Sequence, residues 1–160
     1  MIFVTLGTQK FQFNRLLELI DLLIEENKIN EPVFAQVGNS TYVPKNYEWE
    51  CFLEKKQFEN KVKECDVLIT HSGVATIIKG LENKRKVIVV PRLSKYGEHV
   101  DDHQVQIAEA FSELNFVIMC SEDDDLDQLI VDAKEHRFEN YVSQRKKMIS
   151  TINDFIDRLK

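Results

Sequence analysis

The sequence predicts one α/β domain over residues 1–160, with a mainly parallel sheet flanked by helices. Three observations predict it. Short β-branched apolar runs recur along the chain at Ile2–Leu6, Val33–Val37, Val67–Thr70 and Val87–Val90, with the length and composition of strands buried on both faces. Between them the apolar residues shift to helical spacing, and strands alternating with helices build a parallel sheet. Finally, no linker, repeat or low-complexity stretch divides the 160 residues, a length that suits a single domain with a sizeable core.

Taken in order, Ile2–Leu6 is a strand that Gly7-Thr8 breaks. Leu16, Leu17, Ile20, Leu23 and Ile24 then mark a helix from Asn14 to about Glu26, with Asn14 as its expected N-cap. Pro32 precedes the strand Val33–Val37, which Gly38-Asn39-Ser40 ends. Tyr47–Leu53 reads as a third strand with imperfect alternation, and Phe58, Val62 and Cys65 give one face to a helix from about Glu54 to Glu64. Val67–Thr70 leads through His71-Ser72-Gly73 into a helix from Ala75 to about Asn83. Pro91 then stops Val87–Val90. A helix is expected from about Val100 to Leu114, a last strand at Phe116–Met119, and a helix start at Asp123–Asp125, where acidic residues suit the N-terminal dipole. An amphipathic helix is expected at about 138–159, with Met148, Ile149, Ile152, Phe155, Ile156 and Leu159 on one stripe.

The net charge of −6, with no basic stripe, argues against a general nucleic-acid binder. Cys51, Cys65 and Cys120 are odd in number and far apart, so they read as reduced thiols and fit a cytosolic protein. No apolar run reaches the roughly 18–20 residues needed to span a bilayer, and no charged leader precedes the first strand, so neither a signal peptide nor a direct membrane span is expected.

In open parallel sheets ligands bind beyond the carboxyl ends of the strands. Three of the five glycines, Gly7, Gly38 and Gly73, fall there. The junction after Val67–Thr70 is a strand–turn–helix with Gly73 in the turn, and the free N–H groups of such a helix start suit a phosphate. A plain structural β-α unit would read the same way locally. Downstream, K-Y-G-E-H-V-D-D-H-Q crowds polar groups at a helix start. His99 and His103, four apart, could share a metal, but there is no H-E-x-x-H and no obvious third ligand, so no metal is expected. The other readings are a set of donors and acceptors aimed at sugar hydroxyls, or a solvated, well-capped helix start. G-x-G-x-x-G, G-x-x-x-x-G-K-[ST] and G-x-S-x-G are all missing, which argues against a standard nicotinamide-dependent dehydrogenase, a P-loop NTPase and an α/β-hydrolase.

Three pieces in order, V-T-L-G-T-Q-K-F-Q-F-N-R-L, C-D-V-L-I-T-H-S-G and V-I-V-V-P-R with E-H-V-D-D-H-Q, span most of the first 120 residues. Together they resemble the C-terminal, donor-binding domain of MurG-like glycosyltransferases of the GT-B architecture. The resemblance is strongest to the small PssE-type subunits of bacterial exopolysaccharide and capsule synthesis. These are similar to the catalytic subunit of the two-part dolichol-pathway N-acetylglucosaminyltransferase. The resemblance implies that Gly7, Thr8, His71, Ser72, Gly73, Val74, Ala75 and Thr76 hold the donor diphosphate. It implies that Phe52 and Leu53 frame uracil, and that His99, Asp101, Asp102, His103 and Gln104 face the donor sugar. Where larger relatives carry a ribose-binding glutamate, this chain has Lys79, which cannot accept those hydrogen bonds.

A GT-B active site lies between two Rossmann-like domains, and this chain has the length of one. The resemblance therefore implies half an enzyme: a UDP-sugar-binding subunit of an inverting hexosyltransferase, needing no cofactor. Its implied partner is a membrane-anchored PssD-type subunit that binds the lipid-linked saccharide acceptor and carries the general base. The chain would sit on the cytoplasmic face of the plasma membrane through that partner. The Met148–Leu159 stripe could dock there or pack on its own sheet. Two other readings compete: a sugar-nucleotide epimerase, against which the length speaks, and a non-catalytic UDP-sugar-binding regulatory module.

Overall fold

The structure, a computed structural model, describes residues 1–145 and residue 154. Six strands form one sheet: β1 (Ile2–Thr5), β2 (Val33–Gln36), β3 (Glu48–Glu50), β4 (Val67–Thr70), β5 (Lys86–Val89) and β6 (Ile118–Met119). Every pairing is parallel and the order is β3-β2-β1-β4-β5-β6. Among the described residues the sheet is flanked by the α-helices α1 (Asn14–Glu25), α2 (Lys55–Glu64), α3 (Val74–Glu82), α4 (His103–Glu113) and α5 (Leu126–Glu135). The single α/β domain expected from the alternating runs is therefore present, with a fully parallel sheet.

Strand alternation divides the core into two layers. Ile2, Val4, Ile69 and Ile88 pack with Leu16, Leu17 and Ile20 of α1 and with Leu126 and Ile130 of α5. Their neighbours Phe3, Leu68, Val87 and Val89 pack on the other face with Val62 of α2, Ile77 and Leu81 of α3, and Ala108 of α4. Both faces of β1 and β4 are covered, so all eight of their residues are buried. That explains why these runs are continuously apolar rather than alternating. The chain steps outward from β1 to β2 and β3, then returns to lay β4 on the other side of β1. The loops leaving β1 and β4 part at this reversal and open a crevice.

Four expectations need correction. Asn14 is inside α1, after Phe13, and does not cap it. Its side-chain oxygen instead accepts from Thr41 and Tyr42 N–H (2.9 and 3.0 Å), pinning the loop after β2. The third strand is only Glu48–Glu50, an exposed edge strand. The helix expected from Val100 begins at His103, because residues 99–102 form a turn closed by the Asp101 and Asp102 carboxylates. The helix expected from residue 138 does not begin there: 136–143 are irregular. Glu139 N–H donates to Asn115 O (3.0 Å) and Tyr141 meets the Phe116 ring edge-on at 5.5 Å, so this segment is a strap across the foot of α4. The stripe Met148–Leu159 lies outside the described residues, apart from the exposed Asp154.

Candidate functional site

A cleft of about 520 Å³ opens at the crevice, beyond the carboxyl ends of β1, β2 and β4. One wall is Gly7, Thr8 and Gln9, leaving β1. The second is His71 with Gly73–Thr76, at the start of α3. The third is Gln36, Leu53, Lys55 and Phe58.

His71 is the centre of the first two walls. Its side chain is only 6% exposed, and the ring lies between two glycines. A Cβ on Gly73 would come within 2.5 Å of His71 Nε2, and one on Gly7 within 2.6 Å of Cε1. Gly7 also has φ +73°, which side chains rarely adopt. Gly73 does not need its freedom for a bend: its φ of −75° suits any residue. It is required by contact with the imidazole. Nδ1 lies 3.3 Å from Thr70 Oγ1. Burial first, then the nearby Arg92 charge, pushes the His71 pKa down to about 4, so the ring is neutral at neutral pH.

At α3 the Gly73 carbonyl accepts from Thr76 and Ile77 N–H, both at 3.0 Å. The Gly73, Val74 and Ala75 N–H groups have no protein acceptor among the described residues, and they sit at the positive end of the helix dipole. Ser72 N–H is spent on Gln104 Oε1 (3.3 Å), and Ser72 Oγ is buried without a partner.

Arg92 holds the facing loop in place. Its buried guanidinium donates to Leu6 O (2.6 Å), Phe11 O (3.1 Å), Gln12 O (2.9 Å) and Glu98 O (3.3 Å). Burial lowers its pKa to about 10, which leaves it charged at neutral pH. Glu98 binds Arg15 through Nε at 2.9 Å and also accepts from Leu93 N–H at 2.9 Å. The Gly7–Phe13 loop is thereby tied to the loop after β5.

The residues singled out in the sequence separate here. Gly7, Thr8, His71, Gly73, Val74, Ala75, Thr76 and Leu53 line the cleft; Ser72 lies buried behind it. Phe52 is 48% exposed and does not line the cleft, while Leu53 N–H already donates to Gln36 Oε1 at 3.1 Å. Gln104 is buried, its side-chain oxygen accepting from both Ser72 and Arg92 N–H (3.3 and 3.1 Å), so it clamps the loops after β4 and β5 together. His99, Asp101, Asp102 and His103 do not line the cleft. Asp101 accepts from His103 N–H at 2.9 Å, a bond that leads the causes holding its carboxyl below the usual range. Asp102 accepts from Ser94 N–H at 2.8 Å, and His99 packs on the Phe11 ring at 5.2 Å. Among the described residues no three His, Cys, Asp or Glu side chains gather as metal ligands, and no helix is long and apolar enough to cross a membrane.

Sequence reasoning missed Thr5, Gln36, Lys55 and Phe58. Thr5 and Gln36 are the last residues of β1 and β2, and the strand-end rule that picked Gly7 could have found them. Lys79, at the place of the expected glutamate, lies with Nζ 2.8 Å from Glu59 Oε1 of α2. The ammonium hydrogen bond holds the Glu59 carboxyl below its usual range.

Residues 1–159 match the glycosyltransferase family 28 C-terminal domain. The chain is 26% identical over 131 residues to the UDP-N-acetylglucosamine transferase subunit ALG13 of Mus musculus, covering 74% of this chain and 10% of that protein. It is 27% identical over 132 residues to the subunit of the same name in Candida albicans, covering 81% of this chain and 43% of that one. It thus spans a tenth to under half the length of these relatives. Among solved structures, the kitacinnamycin glycotransferase superposes with a TM-score of 0.60 at 17% identity, covering 84% of this chain and 33% of that one. MurG of Acinetobacter baumannii gives 0.55 at 18%, covering 84% and 45%. Both likenesses show the fold.

Proposed function

The chain belongs to the glycosyltransferase family 28 C-terminal domain family, and on that premise we propose that it is the donor-binding subunit of a two-component inverting hexosyltransferase. The ligand of the cleft is a UDP-sugar carrying galactose, glucose or N-acetylglucosamine. The acceptor is a lipid-linked saccharide of bacterial exopolysaccharide or capsule synthesis, presented by a membrane-anchored PssD-type partner at the cytoplasmic face. The relatives named as UDP-N-acetylglucosamine transferase subunits support a nucleotide-sugar donor.

One observation carries the reading: three unspent N–H groups, Gly73, Val74 and Ala75, open into the same cleft as the Gly7–Thr8 loop. In the proposed reaction the acceptor hydroxyl attacks the anomeric carbon, the bond to the diphosphate breaks, and the negative charge grows on the leaving oxygen. Fixed N–H donors and a helix dipole stabilise that charge. His71 and Thr76 complete the diphosphate side with Gly7 and Thr8, and Ser72 backs it. Uracil lies toward Leu53 and Phe52. The 99–103 turn, with His99, Asp101, Asp102 and His103, faces the sugar, and Gln104 positions the loops rather than touching the ligand. The base that deprotonates the acceptor belongs to the partner. No metal is required.

The test uses the full chain, alone and with its membrane partner, with several UDP-sugars and a lipid-linked acceptor. Saturable UDP binding by the chain alone and sugar transfer only with the partner are expected. Binding without transfer in any combination favours a regulatory UDP-sugar-binding module. A chain indifferent to UDP overturns the donor site.

A further inference from the structure

The cleft also holds a cation that the reading above leaves unused. Lys55 is the first residue of α2, and it lines the same cleft as the first turn of α3. It is exposed and makes no hydrogen bond or ion pair among the described residues. Its nearest opportunity on its own helix is Glu59, four residues on, the spacing at which lysine and glutamate meet. That carboxylate is already engaged by Lys79 of α3, 2.8 Å away. The cross-helix pair leaves Lys55 without a direct partner at the cleft, although Glu59 still feels its charge.

The surroundings give that charge a purpose. The protein carries a net charge of −6, yet no carboxylate lines the cleft and Lys55 is its formally charged side chain. Opposite stand the unspent N–H groups of Gly73, Val74 and Ala75, and the nine-tenths-buried ring of His71, whose Nε2 edge lies against the two glycines. A site with donors on one wall and an unpaired ammonium on another is built for an anion with more than one charged group.

We propose that Lys55 is a substrate-binding residue that holds the phosphate groups of the nucleotide from the α2 side, while the α3 N–H groups hold them from the other. Lys79 is a positioning residue: by occupying Glu59 it prevents that carboxylate from closing a direct ion pair with Lys55. This rests on the nucleotide reading of the same cleft.

The test is titration of the full chain with UDP and, in parallel, with uridine, which lacks the phosphates. Lys55→Met is expected to weaken UDP about tenfold, while uridine changes less than about twofold and Lys55→Arg keeps UDP within about threefold. Lys79→Met releases Glu59 onto Lys55 and is expected to weaken UDP about threefold, and adding Glu59→Gln to it should restore binding to within about twofold. A merely structural Lys79 would not be rescued by that second change. Unchanged UDP affinity in Lys55→Met, equal loss of UDP and uridine, or failure of the rescue overturns the assignment while the nucleotide reading stands. If the unaltered chain shows no saturable UDP binding, both fall together.

Discussion

The cleft walls and the 99–104 turn are both rich in polar groups, and they use them in opposite ways. In the turn the polar groups are consumed locally. Asp101 takes His103 N–H, Asp102 takes Ser94 N–H, and Gln104 takes two backbone N–H groups from neighbouring loops. In the cleft, Gly73–Ala75 N–H and Lys55 are unspent. Unused hydrogen-bonding capacity marks a binding site better than the number of polar residues does.

The widest gap between the two regions should appear with pH. The folded His71 pKa is about 4 against an ordinary 6.5. Well above 6.5 the ring is neutral in both states and costs the fold nothing. As pH falls toward 4, the unfolded chain binds a proton that the buried ring refuses, so stability drops by about 3 kcal/mol. Urea denaturation from pH 7 to 4 should show this slope and lose it in His71→Asn. A slope that survives in His71→Asn would assign it elsewhere.

Next in size is Gly73→Val. Its side chain would drive into the His71 ring, so UDP affinity is expected to fall about a hundredfold, with far-UV circular dichroism unchanged. Retained affinity would remove the α3 turn from the phosphate site. Gln104→Ala strands the buried Ser72 and Arg92 N–H groups. It should cost about 2 kcal/mol, or a melting temperature lowered by about 6 °C. The smallest effect is expected from His103→Ala or Asp101→Asn, which should leave the affinity for bare UDP within about twofold. A larger loss would mean that the turn reaches the phosphates.

The same contrast explains what was legible in the sequence. Val67–Thr70, Gly73 and the rim glycines could be read because periodicity and glycine placement are local properties. The E-H-V-D-D-H-Q cluster was visible as residue types, but its bonds were not. The Asp102 carboxylate is consumed by Ser94, eight residues upstream, and Gln104 by a strand end 32 residues away. Lys55 and Phe58 could not be placed, because α2 reaches the cleft only after the chain returns from β3. The helix expected from 138 shows a third limit. Phe138 meets the His136 ring at 4.5 Å and Tyr141 meets Phe116, contacts made by a strap.

The central claim is that the α3 turn, walled by Gly7 and Gly73 around His71, receives the diphosphate of the donor. The structure of the chain bound to UDP tests it most directly. Phosphate oxygens should lie about 3 Å from the Val74 and Ala75 nitrogens, with the His71 ring still held between the glycines. Phosphates seated against the 99–104 turn, with the cleft empty, would contradict it.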